Sequence, residues 1–208
     1  LKKGLKLIVE DRLVSKPYIE MTLEILTYFG IKHSWKNNVI KIEKQEFKAQ
    51  NINIESDWSA VGFWLEMVSL SKDGSVKLKG LQENSWQGDR ETPSFFKSLG
   101  VNTYFEGDCL IANKEGKKNK EDSTINLVDL PDLSLSLICS YAFNKKHAKF
   151  TGLQTLKNKE SDRLNSLKTE LEKCGITCKT NDSELIIDRF KDQASAIRLK
   201  TYNDHRDR

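Results

Sequence analysis

A chain of 208 residues with 38% hydrophobic and 31% charged residues can bury one large core or two modest ones behind a well-solvated surface. Its net charge is only +4, and its one small basic cluster, Lys117, Lys118 and Lys120, reads as a solvated loop, which disfavours a nucleic-acid partner. No apolar run approaches the ~20 residues a membrane span needs and no signal peptide opens the chain, so no membrane partner and a cytoplasmic location are expected.

The elements follow in chain order. Residues 5–9 alternate as a strand. Ser15 is placed to cap a helix with Pro17 in its first turn and Gly30 as its stop. Residues 31–35 and 39–42 then make a strand pair. Asn51-Ile-Asn-Ile alternates again, and Asp57 or Ser59 caps a mostly apolar, hence buried, helix over 60–68. A strand over 76–80 leads through a polar loop to a helix over 91–99, with Pro93 in its first turn and Gly100 at its end. Strands over 101–105 and 109–112 complete the set. After the low-complexity loop 114–121, a helix starts near Asp132 and runs through Leu135, Leu137 and Ile138. A strand covers 148–151. The next helix aligns Leu164, Leu167, Leu171 and Cys174 on one buried stripe and stops at Gly175; strands over 176–178 and 185–188 follow. Cys109, Cys139, Cys174 and Cys178 have no CxxC spacing and read as reduced core thiols, so no metal is expected of them.

This order is a repeat. Asp57-Trp-Ser-Ala, Asp132-Leu-Ser-Leu and Asp204-His-Arg recur after 75 and 72 residues, and Gly30, Gly100 and Gly175 after 70 and 75. Gly152-Leu153 likewise matches Gly80-Leu81. A fixed period of this kind marks one supersecondary unit copied in tandem, here β-α-β-α-β-β, an α/β fold. The first 48 or so residues are the tail of an earlier copy. The chain opens on Leu1 and closes at Arg208, just as another Asp-led segment begins, so it is expected to be a piece of something longer.

The copies differ where chemistry is expected. Fifteen residues before each stop glycine lie Ser15, Ser85 and Glu160, at the entrance to the second helix of each copy. In the last copy this entrance, 157–163, is crowded with charge. A helix N-terminus attracts phosphate or carboxylate. Lys159 and Arg163 would add full positive charges, Arg163 with bidentate geometry, and Glu160 between them is the candidate acid/base group. The plain alternative is a solvated helix start with i,i+3 and i,i+4 pairs. Asp132 taken alone reads as a helix cap. Asp57 has no adjacent charge cluster, whereas Asp204 is followed by His205 and Arg206. His205 reads as an orienting group rather than a base. Asp207 falls where Ala60 and Leu135 face inward, which argues against a helix after Asp204.

Ser15-Lys-Pro-Tyr-Ile-Glu-Met-Thr, Leu130-Pro-Asp-Leu, Lys159-Glu-Ser-Asp-Arg and Tyr202-Asn-Asp-His-Arg resemble, in order and spacing, the 5-enolpyruvylshikimate-3-phosphate synthases. Asp57-Trp-Ser-Ala and Gln87-Gly-Asp fit the same alignment, which covers essentially the whole chain. The resemblance implies an enolpyruvyl (carboxyvinyl) transferase of the shikimate pathway, leading to chorismate and the aromatic amino acids. It would join phosphoenolpyruvate to the 5-hydroxyl of shikimate 3-phosphate and release phosphate, without metal or organic cofactor. It also implies two domains, each of three such units, with substrates in the cleft between them and a monomeric full-length protein. Residues 1–55 would end the N-terminal domain and 56–208 would form an incomplete C-terminal domain. Carried over by position, Asp132 would take the proton of the attacking hydroxyl, and Glu160 would exchange a proton with the methylene carbon of the enol. Ser15, Tyr18, Asp132 and Lys159 would hold shikimate 3-phosphate, and Arg163 and Arg206 would clamp phosphoenolpyruvate. Lys157 stands where the family usually has Arg, Thr155 where it often has Asn, and Asp207-Arg208 where it continues with apolar residues. Several family phosphate-binding motifs fall outside the chain, so little turnover is expected of the chain alone. The competing readings are a non-catalytic remnant or anion-binding module of the same fold, and the related UDP-N-acetylglucosamine enolpyruvyl transferase.

Overall fold

Three strand triplets share one order in the computed structural model, which describes residues 3–116, 123–192 and 196–206. The Lys117, Lys118 and Lys120 cluster and Asp207-Arg208 lie outside the described residues. Strands β1 (Leu5–Ile8), β2 (His33–Lys36) and β3 (Val39–Ile42) are ordered β1-β3-β2, all antiparallel. Strands β4 (Ser75–Lys79), β5 (Val101–Glu106) and β6 (Cys109–Lys114) repeat this as β4-β6-β5. The last triplet, β8 (Ala148–Thr151), β9 (Ile176–Thr180) and β10 (Glu184–Phe190), runs β8-β10-β9, and β7 (Ser123–Asn126) joins it parallel to β8. The tandem unit read from the sequence is therefore the unit of the sheets.

Helix α1 (Lys16–Tyr28) links β1 to β2, and Gly30 follows it at φ +81°. Gly100 and Gly175, at φ +75° and +77°, end their helices in the same left-handed turn. The expected helix over 91–99 is broken into α3 (Thr92–Phe96) with 3₁₀ turns on either side. Its end is satisfied from outside, since Lys114 Nζ donates to Leu99 O at 2.9 Å. Helix α5 (Arg163–Lys173) buries Leu164, Leu167 and Leu171, the expected stripe.

Helices α2 (Trp58–Leu70) and α4 (Ser134–Phe143) pack against each other across Gly62. A β-carbon there would lie 2.5 Å from Ser136 Oγ, so the close crossing depends on glycine. Around this pair one apolar core runs through both later copies, from Trp58, Leu65 and Phe96 to Phe150, Leu171 and Leu185. A separate small cluster, Leu23, Ile31, Ile40 and Ile42, fills the space under α1.

Four expectations need correction. Residues 51–54 are not a strand. Gln50 Nε2 donates to Tyr28 O at 2.6 Å and the Tyr28 hydroxyl donates to Asn51 O, drawing the segment to the end of α1. Strand β7 was not foreseen, because Ser123-Thr-Ile-Asn buries only Ile125 and exists through its parallel neighbour. Ser15 takes a left-handed conformation, φ 56°, and its side chain does not cap α1. Helix α2 is buried on one side only: Trp64, Met67 and Leu70 are exposed.

None of the four cysteines is in a disulfide. Cys109 and Cys178 are buried, and burial pushes the Cys178 thiol up to about 12. Among the described residues no helix is long and apolar enough to cross a membrane.

Candidate active site

The first turn of α5 carries the centre of the site. Asp162 caps the helix by accepting from Asn165 N at 3.1 Å, which leaves the next side chain, Arg163, at the inward-facing start. Arg163 is 1% exposed and meets Asp204, 0% exposed, through two parallel bonds: Nε to Oδ2 at 2.8 Å and Nη2 to Oδ1 at 3.1 Å. Its remaining face is also engaged, by Glu160 Oε2 at 2.6 Å from Nη2 and by Asp132 Oδ1 at 3.2 Å from Nη1. Burial alone would raise the Asp204 pKa. The bonds from Arg163, from the backbone N–H of Arg206 (2.9 Å) and from Ser161 Oγ (3.0 Å) outweigh it and hold that carboxyl below the usual carboxylate range.

Asp132 is not a helix cap. It lies in the 3₁₀ turn Pro131–Leu133 that precedes α4, and no side chain caps that turn. Its carboxylate instead faces three cations: Lys159 Nζ at 3.2 Å, Arg163 Nη1 at 3.2 Å and Arg206 Nη2 at 3.8 Å. Arg206 also reaches Asp57 Oδ2 at 3.5 Å and stands over the Phe63 ring at 6.0 Å, while its buried Nε has no hydrogen-bond partner among the described residues. Asp57, expected to stand apart from charge, therefore shares a cation with Asp132. It is also a true cap, accepting from Ser59 N at 2.9 Å.

The start of α1 is brought to the same side. Ser15 N donates to Val128 O at 3.1 Å and Lys16 N to Asp129 Oδ1 at 3.4 Å, just ahead of Asp132. The Tyr18 hydroxyl points the other way, to Asp89 Oδ1 and Oδ2 at 3.2 and 3.3 Å. Burial, then the charges of Asp89 and Asp132, hold that phenol above its usual range. A cavity of about 550 Å³ opens here, walled by Tyr18, Tyr28, Asp57, Ser59, Trp86 and Asp89. It lies on the Tyr18 face rather than over Arg163.

Chemically, Asp57, Asp132, Glu160 and Asp204 confront Lys159, Arg163 and Arg206: four acidic side chains against three basic ones. An anion approaching Arg163 would compete with these carboxylates, of which Glu160 is the most exposed on that guanidinium. Glu160, Asp204 and His205 place possible metal-ligand atoms within 4.8 Å of one another. Asp204 is already filled by Arg163, and the same guanidinium lies against Glu160, so a cation would meet a full positive charge. This donor set does not suit a metal. His205 Nδ1 lies 3.6 Å from Glu160 Oε1, beyond hydrogen-bond reach.

Six of the seven expected site residues thus lie around the starts of α1, α4 and α5, and the seventh, Arg206, comes from the irregular tail. Reading the sequence missed Asp204 as the partner of Arg163, Asp57 as a partner of Arg206, and Asp89 altogether. Only the quoted Gln87-Gly-Asp motif pointed toward the last.

Repeated sheets with helix starts converging on an ionic cluster define the enolpyruvyl transferase fold. EPSP synthase from Acinetobacter baumannii superposes with a TM-score of 0.63 at 19% identity, over 91% of this chain and 44% of that one. The enolpyruvyl transferase NikO from Streptomyces tendae gives 0.61 at 15% identity, over 89% and 42%. The family model for EPSP synthase (3-phosphoshikimate 1-carboxyvinyltransferase) matches residues 1–207, and the chain belongs to that family. A 3-phosphoshikimate 1-carboxyvinyltransferase from Bacteroides fragilis is 38% identical over 99% of this chain and 51% of its own length. One from Buchnera aphidicola is 31% identical over 97% and 46%. The chain spans about half the length of these curated relatives.

Proposed function

We propose that this chain is part of an enzyme that transfers the enolpyruvyl group of phosphoenolpyruvate to the 5-hydroxyl of shikimate 3-phosphate and releases phosphate. The observation that carries the reading is the carboxylate of Asp132 facing Lys159, Arg163 and Arg206, with Glu160 on the other terminal nitrogen of Arg163. Asp132 takes the proton as the 5-oxygen bonds to C2 of phosphoenolpyruvate, while Glu160, released from Arg163 and entering the step as the acid, gives a proton to C3. Glu160 then takes a proton back from C3 as the bond from C2 to the phosphate oxygen breaks. Asp132 passes its proton to the departing phosphate, so the products are the enolpyruvyl ether and hydrogen phosphate and both carboxyls return to their starting forms.

The ion pairs suggest how substrate arms the site. The carboxylate of phosphoenolpyruvate is a bidentate ligand for arginine, and it competes with Glu160 and Asp132 for Arg163 and Arg206. Displacing Glu160 frees it to face C3. The doubly bonded Asp204 keeps the Arg163 guanidinium in plane throughout. Ser15, Tyr18 and Lys159 bind shikimate 3-phosphate on the α1 side.

With four carboxylates to three cations, this half of the site needs further positive charge to hold two polyanions, so the 208-residue chain alone is expected to turn over little. The two separate apolar clusters support a division near residue 55, with 1–55 ending one domain and 56–208 belonging to the next. The complete protein is proposed to be cytoplasmic and monomeric.

The test is phosphate release from phosphoenolpyruvate by the full-length protein, dependent on shikimate 3-phosphate. Glu160→Gln should abolish it and leave shikimate 3-phosphate binding in place. Wild-type turnover in E160Q would sink the assignment. Anion binding without any turnover in the wild type would favour a non-catalytic module.

A further inference from the structure

Gln87-Gly88-Asp89 has no role in the reaction as described above, yet it holds two parts of the site together. Gln87 Oε1 accepts from Trp58 N, and its Nε2 donates to Ser56 O, both at 2.9 Å, which ties the segment to the start of α2. A β-carbon on Gly88 would come within 2.3 Å of Pro17 Cβ, so the backbone can pass under the first turn of α1 only as glycine. That passage delivers Asp89, 2% exposed, to the Tyr18 hydroxyl, which lies between its two oxygens. The same carboxylate accepts from Ser59 Oγ.

No cation stands among the described ion pairs of Asp89, so its burial is costly. Burial pushes its carboxyl up, and the Ser59 and Tyr18 hydroxyls oppose this. A bracket with only a structural purpose would be better served by an uncharged group. What a carboxylate supplies is two acceptor oxygens, able to take a hydroxyl from each side at once. Ser59 lies two residues beyond Asp57, which faces Arg206. Asp89 therefore sets the Tyr18 side of the cleft in register with the Arg206 side.

We propose that Asp89 is a positioning residue for enolpyruvyl transfer: it fixes the Tyr18 side chain where shikimate 3-phosphate binds and ties it to the first turn of α2. This rests on the synthase reading above. The test compares Asp89→Asn, Tyr18→Phe and the double variant in the full-length protein. D89N should raise KM for shikimate 3-phosphate about tenfold and leave KM for phosphoenolpyruvate and kcat within about twofold. Y18F should show the same rise in KM, and the double variant should be no worse than either. An unchanged KM, equal losses for both substrates, or additive effects in the double variant would overturn the proposal. A second readout needs no turnover. In protein with ¹³C-labelled tyrosine rings, the resonance lost in Y18F should shift in D89N while the other tyrosines stay in place. No shift would also overturn the proposal. A full-length wild type that neither binds shikimate 3-phosphate nor turns over would remove the synthase reading, and the resonance would still decide whether Asp89 holds Tyr18.

Discussion

Asp57 and Asp132 hold equivalent places in successive copies, 75 residues apart, and do different work. At Asp57 the backbone is extended and the carboxylate caps α2. At Asp132 the 3₁₀ turn begun by Pro131 replaces that geometry, and the carboxylate turns toward Lys159, Arg163 and Arg206. The entrances to the second helices differ in the same sense. Ser85 is buried and satisfied by Glu55, Gln87 and Arg90, whereas Glu160 is exposed on Arg163. The equivalent backbone position thus caps a helix in one copy and faces a cluster of cations in the other. Arg206, placed between the two aspartates, is where the structural copy and the chemical copy meet.

The largest break in this comparison should come from Arg163→Ala. It strands the wholly buried Asp204 carboxylate, a loss of about 3–5 kcal/mol, read as a fall in the urea midpoint. A smaller loss is expected from Gly62→Val, which drives side-chain atoms into Ser136 where α2 and α4 cross. Overpacking of this kind costs about 1–3 kcal/mol and would appear in thermal melting. The direct contrast comes next. Asp57→Ala should cost about 1 kcal/mol, the worth of a helix cap, whereas Asp132→Asn should cost less stability than that and should stop turnover in the full-length protein. Equal destabilisation by the two would mean that both are caps after all.

A pH-dependent effect is expected at Glu66, on the part of α2 that faces a cavity of about 280 Å³ with Leu135 and Phe143. Burial pushes its carboxyl up to about 8 from a usual 4.5. The folded state therefore holds this proton more tightly than the unfolded chain does. Its contribution is complete below the usual value and is lost as pH rises through about 8. Glu66→Gln should flatten the decline in stability between those limits, and an unchanged profile would place the carboxylate in water.

The period, the stop glycines and nearly all the strands were legible because each depends on local rules: apolar spacing, left-handed turns and proline in first turns. Residues 51–54 and strand β7 show where such rules end. Asn51-Ile-Asn-Ile alternates well but has no strand partner, while Ser123-Thr-Ile-Asn alternates poorly and pairs with β8. In the site, Arg163, Glu160 and Asp132 were legible as charged groups at helix starts. Their partners were not, since Asp204 lies 41 residues from Arg163 and Asp89 lies 71 from Tyr18. Sequence spacing carries no information about such meetings until the sheets have brought them together.

The tail over 196–206 has no regular secondary structure and is fastened by side chains. Asp204 holds Arg163 and Ser161, and Glu170 accepts from the Tyr202 hydroxyl at 2.6 Å and from Lys200 N at 3.1 Å. Both carboxyls are held below their ordinary range against the effect of burial, Glu170 by Lys173 first and then by Tyr202 and Lys200, Asp204 by Arg163, the Arg206 N–H and Ser161, so protonation weakens the fastening at both points. Acid should then act as a key to one lock. Backbone amides of Asp204 and Arg206 should exchange with deuterium at a pH where those of β8, β9 and β10 remain protected, and the tail would peel away as a separate cooperative unit before the sheet opens.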